Sequence, residues 1–157
     1  MEYKIKDTII KVYPEYTLKN KSDYIPLEND VIVIGGVQEF NQTKIIIATN
    51  NGVVFERAKR RLCSMEYDKI PGMFPQPFLV NGFNILALSC SEILFPEDFF
   101  HFKNIDLITH SVGFEMYNIH QYKAWRALQK AVSLHFKCPL VCCSGGKQNE
   151  FNLSGVL

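Results

Sequence analysis

The chain has 157 residues, 47% of them apolar and 21% charged, with a net charge of +1. That is the size and balance of one globular domain, burying roughly 70% of its unfolded surface. The near-zero charge gives no general attraction to nucleic acid or a membrane surface, and the longest apolar runs fall far short of the roughly 20 residues that a bilayer span needs.

Residues 8–13, Thr-Ile-Ile-Lys-Val-Tyr, are β-branched and aromatic enough for a strand, stopped by Pro14. Glu15 follows at once, a carboxylate at a strand end. Residues 17–30 carry Asn20, Asp23, Pro26 and Asn29 and read as a loop or one short helix. Residues 31–34 form an apolar run that ends in Gly35-Gly36, a fully buried strand. Residues 44–49 and 53–57 are two strands joined by the hairpin signal Asn50-Asn51-Gly52. The basic cluster that follows, residues 58–62, reads as a solvated strand edge. As a nucleic-acid footprint it is weak, with three charges and no interleaved aromatic.

Residues 63–84 are punctuated by Pro71, Gly72, Pro75, Pro77 and Gly82 and read as a long irregular loop. Residues 85–88, Ile-Leu-Ala-Leu, are too short for a helix and make a buried strand that runs into Ser89, Cys90, Ser91 and Glu92. A short helix opens after Cys90, limited by Pro96. A strand over 106–111, a loop over 113–119 and a helix over 121–136 come next. In that helix Trp125, Leu128 and Val132 take apolar positions. Cys138-Pro139 stops it, residues 140–143 are another buried strand, and residues 151–157 open a further element.

Five cysteines, odd in number and unevenly spaced, do not make a disulfide framework. The start, residues 1–6, lacks the apolar core of a secretory signal, so the expectation is a reduced, cytoplasmic α/β domain over residues 1–157. On its own, Cys90 is either a core thiol or a sulfur presented at the carboxyl edge of a sheet, where ligands collect. Glu15 alone reads better as a solvated loop acid. Glu92 and Glu97 suit the first turn of a helix. His135, Cys138, Cys142 and Cys143 do not have the spacing of a zinc finger, and neighbouring strand residues point to opposite faces, so no metal is expected. His110 has no evident partner, His120 is placed at a pocket mouth near Trp125, and Trp125 itself is a packing residue.

Tyr13-Pro14-Glu15, Lys59-Arg60-Arg61-Leu62, and Ser89-Cys90-Ser91-Glu92 with Phe95-Pro96-Glu97 occur in an order that resembles the carbon–nitrogen hydrolase, or nitrilase, superfamily. Ile34-Gly35-Gly36, Asn51-Gly52, Pro71-Gly72, Asp106-Leu107-Ile108, Trp125 and Pro139-Leu140-Val141 add to the resemblance, which covers nearly the whole chain. It implies an α-β-β-α sandwich with terminal elements shortened or missing. Lys130-Ala131-Val132-Ser133-Leu134 departs from the family, which has Arg-Ala-x-Glu-Asn there. The chain starts almost on its Pro-Glu motif, so it is expected to be a compact variant, a piece of a larger protein, or a domain completed by a partner.

The resemblance also implies roles. Glu15 is the general base, Lys59 the cation, Cys90 the nucleophile and Glu66 the auxiliary acid of amidase members. Ser91 and Phe114 are assigned to the oxyanion and the substrate. A free thiol is only a few per cent ionised at neutral pH, so a carboxylate that takes its proton during attack is what this chemistry needs. No metal or organic cofactor is required. The implied substrate is a small-molecule amide or nitrile, and the implied partner is a second copy or another chain. A nitrilase-like module with altered catalysis, serving assembly or regulation, is the alternative.

Overall fold

The structure, a computed structural model, describes residues 1–39, 41–146 and 150–157. Alternating β-branched residues build two five-stranded sheets. The first contains β1 (Glu2–Ile5), β2 (Thr8–Val12), β3 (Val31–Glu39), β4 (Gln42–Thr49) and β5 (Gly52–Ala58), side by side in chain order. The second runs β10 (Gly155–Val156), β9 (Leu140–Ser144), β8 (Leu107–Val112), β7 (Phe83–Ser89) and β6 (Pro77–Val80). β7, β8 and β9 are mutually parallel, as are β2 and β3, while the remaining neighbours are antiparallel.

Every second strand residue enters the slot between the sheets. Ile10, Val12, Ile32, Ile34, Ile45 and Ile47 come from one side, and Ile85, Ala87, Leu107, Val141 and Cys143 from the other. The alternate residues of the second sheet, among them Leu86, Leu88, Ile108, Leu140 and Cys142, pack outward beneath α2 (Ile119–Phe136), with Phe99 and Val132 in the same cluster. α2 is the crossover that joins parallel β8 to β9. Asn118 caps its start by accepting from the backbone N–H groups of His120 and Gln121 at 3.0 Å, and Lys137 ends it in the left-handed conformation. On the outer face of the first sheet, Val31, Val33, Ile46 and Ala48 are covered by Leu18, Tyr13 and Tyr24. The only helix in that covering segment is α1 (Lys21–Tyr24). The sandwich is therefore as expected, with one helical layer reduced to a single turn.

Several elements differ from the sequence reading. β3 passes straight through Gly35-Gly36. These glycines exist for close approach: a Cβ on Gly35 would lie 2.8 Å from Leu18 Cδ1, and one on Gly36 2.8 Å from Glu15 Cα. β1 was not expected; it folds back on β2 through Lys6, which takes a positive φ. The loop over 63–84 contains a 3₁₀ turn at Ser64–Glu66 and the edge strand β6, where Pro77 is tolerated at the first position. After β7 the expected helix is two 3₁₀ turns, Cys90–Leu94 and Pro96–Asp98. The basic cluster is not a solvated edge, because Lys59 is completely buried and Arg61 is ion-paired with Asp98 at 2.6 Å. Among the described residues no helix is long and apolar enough to cross a membrane.

Burial in the intersheet slot sets a stability contrast. Ile34→Ala, at a fully buried position, is expected to cost about 2–5 kcal/mol in urea unfolding. Val53→Ala, 41% exposed on the edge strand, should stay within about 0.5 kcal/mol.

Candidate active site

Three strand ends deliver the cluster. Pro14 stops β2 and turns Glu15 over Gly36, β5 runs out into Lys59, and β7 runs out into Cys90. Lys59 is fixed by its backbone: its N–H donates to Thr43 at 2.7 Å and its carbonyl accepts from Gly72 at 2.8 Å. Its Nζ then lies 2.8 Å from Glu15 Oε1 and 2.7 Å from Glu66 Oε2. All three side chains are buried: Lys59 is 0% exposed, Glu15 2% and Glu66 2%.

The two carboxylates are held differently. Glu66 is saturated. Besides Lys59 it accepts from Thr43 Oγ1 at 2.7 Å, Tyr16 OH at 2.8 Å and the Cys63 backbone N–H at 3.0 Å. Burial alone would raise its pKa, but the Lys59 charge and these donors bring it down to about 2. Glu15 accepts on Oε1 from Lys59 and from the Ser89 hydroxyl, whereas its buried Oε2 has no partner among the described residues. Burial outweighs Lys59 and Ser89 and raises its pKa. Burial would also depress Lys59, but Glu15, Cys90 and Glu66 reverse this and keep it an ammonium.

Cys90 adjoins this cluster through Ser89 and adopts a φ of 42°, a conformation that non-glycine residues rarely take. It is 3% exposed. Burial first, then the charge of Glu15, pushes the thiol up to about 12, against the opposing pull of Lys59 and of the Gly113 backbone N–H that bonds to it. At rest the sulfur is therefore a thiol. The turn that carries it is propped by Glu92, which is buried and accepts from Arg57 at 2.7 and 2.6 Å, from the Ser89 N–H at 2.9 Å and from the Arg60 N–H at 2.8 Å. Glu92 is thus structural, as expected, but as a buried ion-pair partner.

The structure brings Glu15, Lys59 and Glu66 into contact and sets Cys90 beside them. Ser91 uses its hydroxyl on the Arg61 carbonyl, tying the Lys59 segment to the Cys90 turn. Phe114 follows Gly113, gives its carbonyl to Ser144 Oγ at 2.7 Å and sets its half-buried ring 6.0 Å from that of Tyr117. Tyr16, Thr43, Ser89, Gly113 and His110 were not singled out for the site. Thr43 and Ser89 carried a signal: each continues a row of inward-facing apolar residues with a polar one. Trp125 packs as expected, stacked 5.9 Å from His110. His120 stands exposed on the first turn of α2. His135, Cys138, Cys142 and Cys143 do not converge. Cys143 faces the intersheet core, Cys142 faces α2, and among the described residues no three His, Cys, Asp or Glu side chains could hold a metal ion. A surface cavity of about 360 Å³ is lined by Phe55, Arg57, Ala58, Gly72 and Phe74, among others, but by no member of the buried cluster.

No protein-family model and no curated protein matches this sequence. Solved structures do match. XC1258 from Xanthomonas campestris, a CN-hydrolase superfamily protein with an arsenic adduct in its active site, is 16% identical with a TM-score of 0.71, over 94% of this chain and 69% of its own. Nit3 from Saccharomyces cerevisiae, a member of branch 10 of the nitrilase superfamily, is 17% identical with a TM-score of 0.74, over 94% and 68%. An amidase from Nesterenkonia sp. AN1, in a mutant showing Michael addition of acrylamide at the active-site cysteine, is 14% identical with a TM-score of 0.62, over 73% and 48%. The chain therefore has the nitrilase-superfamily fold and spans about two thirds of the first two proteins and about half of the third.

The low pKa of Glu66 makes a pH prediction. A carboxyl at about 2 in the fold against an ordinary 4.5 contributes stability that is complete above 4.5 and is lost as pH falls through that window. The contribution is about 3 kcal/mol at most. The raised Glu15 works in the opposite sense, because its protonation favours the fold. The Glu66 share is therefore read as a difference: between pH 5 and pH 3 the thermal midpoint of Glu66→Gln should fall less than that of the unmodified chain.

Proposed function

We propose that this chain hydrolyses a non-peptide C–N bond, an amide or a nitrile, through a thioester on Cys90. The observation that carries this reading is the asymmetry of Glu15. One oxygen is held by Lys59 and Ser89, and the other is buried and unpaired, with the protonated Cys90 thiol within electrostatic reach of the carboxylate.

For an amide, the Cys90 sulfur bonds to the carbonyl carbon while its proton passes to Glu15 Oε2. The charge that develops on the carbonyl oxygen is met by the Lys59 ammonium and the Ser91 backbone N–H, and Phe114 borders the substrate. The C–N bond then breaks as Glu15 returns the proton to the departing amine. Water, deprotonated by Glu15, adds to the thioester, releasing the acid and restoring the thiol. Glu66 does not exchange protons in this scheme. With its pKa near 2 and its donors in place, it positions Lys59. No metal or organic cofactor enters. The five free cysteines suit a reducing, cytoplasmic setting. A second copy or another chain as partner belongs to the same proposal.

One observation favours a second reading. Glu15, Lys59 and Cys90 are almost entirely closed from solvent, as suits a module kept for assembly or regulation. Acrylamide labelling followed by mass spectrometry, with ammonia release from a panel of small amides and nitriles, separates the two. The hydrolase reading expects Cys90 to label faster than Cys63 and Cys142. It expects Cys90→Ala to abolish ammonia release and Glu15→Gln to slow it by about 10²–10⁴. Ammonia release unchanged in Cys90→Ala, or no release at all with Cys90 labelling no faster than Cys63, would sink it in favour of the module.

A further inference from the structure

Cys90 holds a strained φ of 42° at the end of β7, and its carbonyl is gripped from the layer beneath α2. His110 Nε2 lies 2.9 Å from that carbonyl oxygen. On the other side of the ring, Nδ1 lies 3.0 Å from Gln129 Nε2, and Gln129 Oε1 accepts from an Arg126 guanidinium nitrogen at 3.0 Å. His110 and Gln129 are both completely buried.

The directions of these bonds follow from one fixed point. A guanidinium only donates, so the Gln129 atom facing Arg126 must be its oxygen and its NH₂ must face His110. Nδ1 is then the acceptor and the ring proton sits on Nε2, from where it donates to Cys90. Arg126 is itself anchored: it donates to the Ser154 carbonyl at 3.0 Å and to Tyr122 OH at 3.4 Å, and lies over the Tyr122 ring at 5.6 Å. The Cys142 sulfur, 3.8 Å from Nδ1, is a weak second neighbour on the same side. Trp125 stacks on the imidazole with an interplanar angle of 12°. Burial lowers the His110 pKa to about 4, so the ring stays neutral through the ordinary working range.

Resting on the reading of Cys90 as nucleophile, we propose that His110 is a positioning residue for it: the Nε2–H tautomer, set by Arg126 through Gln129, pins the Cys90 carbonyl and so aims the sulfur beside Glu15. The chain of donors runs one way, from a cation on α2 to the peptide of the reactive cysteine. Losing a link lets the strained turn relax without removing any group that touches substrate.

The test uses the full chain and two readouts. Nitrogen-15 NMR of the imidazole should show His110 as the neutral Nε2–H tautomer from pH 5 to 8; an Nδ1–H tautomer or an imidazolium in that range overturns the proposal. The second readout is the rate of Cys90 labelling by acrylamide as a function of pH. His110→Leu, which removes the donor, should slow labelling about tenfold or more, as a displaced reacting atom does. His110→Gln, whose side-chain N–H can reach the same carbonyl, should restore most of that rate. Gln129→Leu, which frees the tautomer, should fall between them. Equal slowing in His110→Leu and His110→Gln, or no slowing in either, assigns His110 to packing alone and defeats the proposal. If His110→Leu does not fold, His110→Gln against Gln129→Leu and the tautomer decide the matter. Cys90 labelling no faster than Cys63 in the unmodified chain would instead strike the hydrolase reading, while the tautomer and the variant ratios still judge the role of His110.

Discussion

A single ammonium, Lys59, sits in the interior between two glutamates, and the local structure is organised to keep it there. Removing such a charge from water is expensive and is offset only by close pairing with further hydrogen bonds. Both are present: contacts of 2.8 and 2.7 Å to Glu15 and Glu66, and a shell of Tyr16, Thr43, Ser89 and the Cys63 N–H around the carboxylates. Glu15, Tyr16, Thr43, Lys59 and Glu66 lie in or just after strands of the first sheet, while Ser89 ends β7 of the second, so the shell around Glu15 joins the two sheets. The neighbouring Arg57–Glu92 pair repeats the solution and ties β5 to the turn after β7.

The sandwich supplies this polar site by changing residue type along a row rather than by changing its architecture. Ile45 and Ile47 face the slot, and Thr43, two residues earlier on the same face of β4, meets Glu66. Ile85 and Ala87 face it as well, and Ser89, next in that row, meets Glu15. In β5 the row from Phe55 continues through Arg57 to Lys59, both buried. The slot is thus apolar along most of its length and polar at one end. There the side chains are as buried as in the core, and among the described residues Glu15 Oε2 and Arg57 Nε are left without a partner.

That pattern marks what could be read from the sequence. The buried runs at 31–34, 85–88 and 140–143 were legible because β-branched and aliphatic residues cluster where both faces of a strand are covered. Edge strands β1 and β6 were not, because they are four residues long and owe their pairing to neighbours more than to their own pattern. Glu15, Lys59, Cys90 and Glu66 stood out through motif order. Thr43 and Ser89 were legible in principle from row parity alone. His110 was not, since its meaning depends on Gln129, nineteen residues away on a helix whose rotation over β8 the sequence does not state.

The unequal treatment of the two glutamates is the step that connects fold to chemistry. Both touch the same ammonium, so the lysine charge cannot be what distinguishes them; the depth of burial and the remaining contacts do. Glu66 receives three further donors and is held ionised. Glu15 receives one, on the oxygen already used by Lys59, and leaves the other bare in a dry interior. An unpaired buried carboxylate oxygen costs stability, on the order of 1–3 kcal/mol or more for a charged group. The fold could have supplied another donor, as it did for Glu66. Gly113 lies against that oxygen: a Cβ there would lie 3.3 Å from Glu15 Oε2 and 3.0 Å from the Tyr16 ring. A glycine at this point keeps side chains away from the bare oxygen, while its own N–H is turned to the Cys90 sulfur. Glu15, its pKa raised by burial, and the Cys90 thiol, pushed up to about 12, thus lie within electrostatic reach of each other, and Glu15 is held by fewer donors than Glu66.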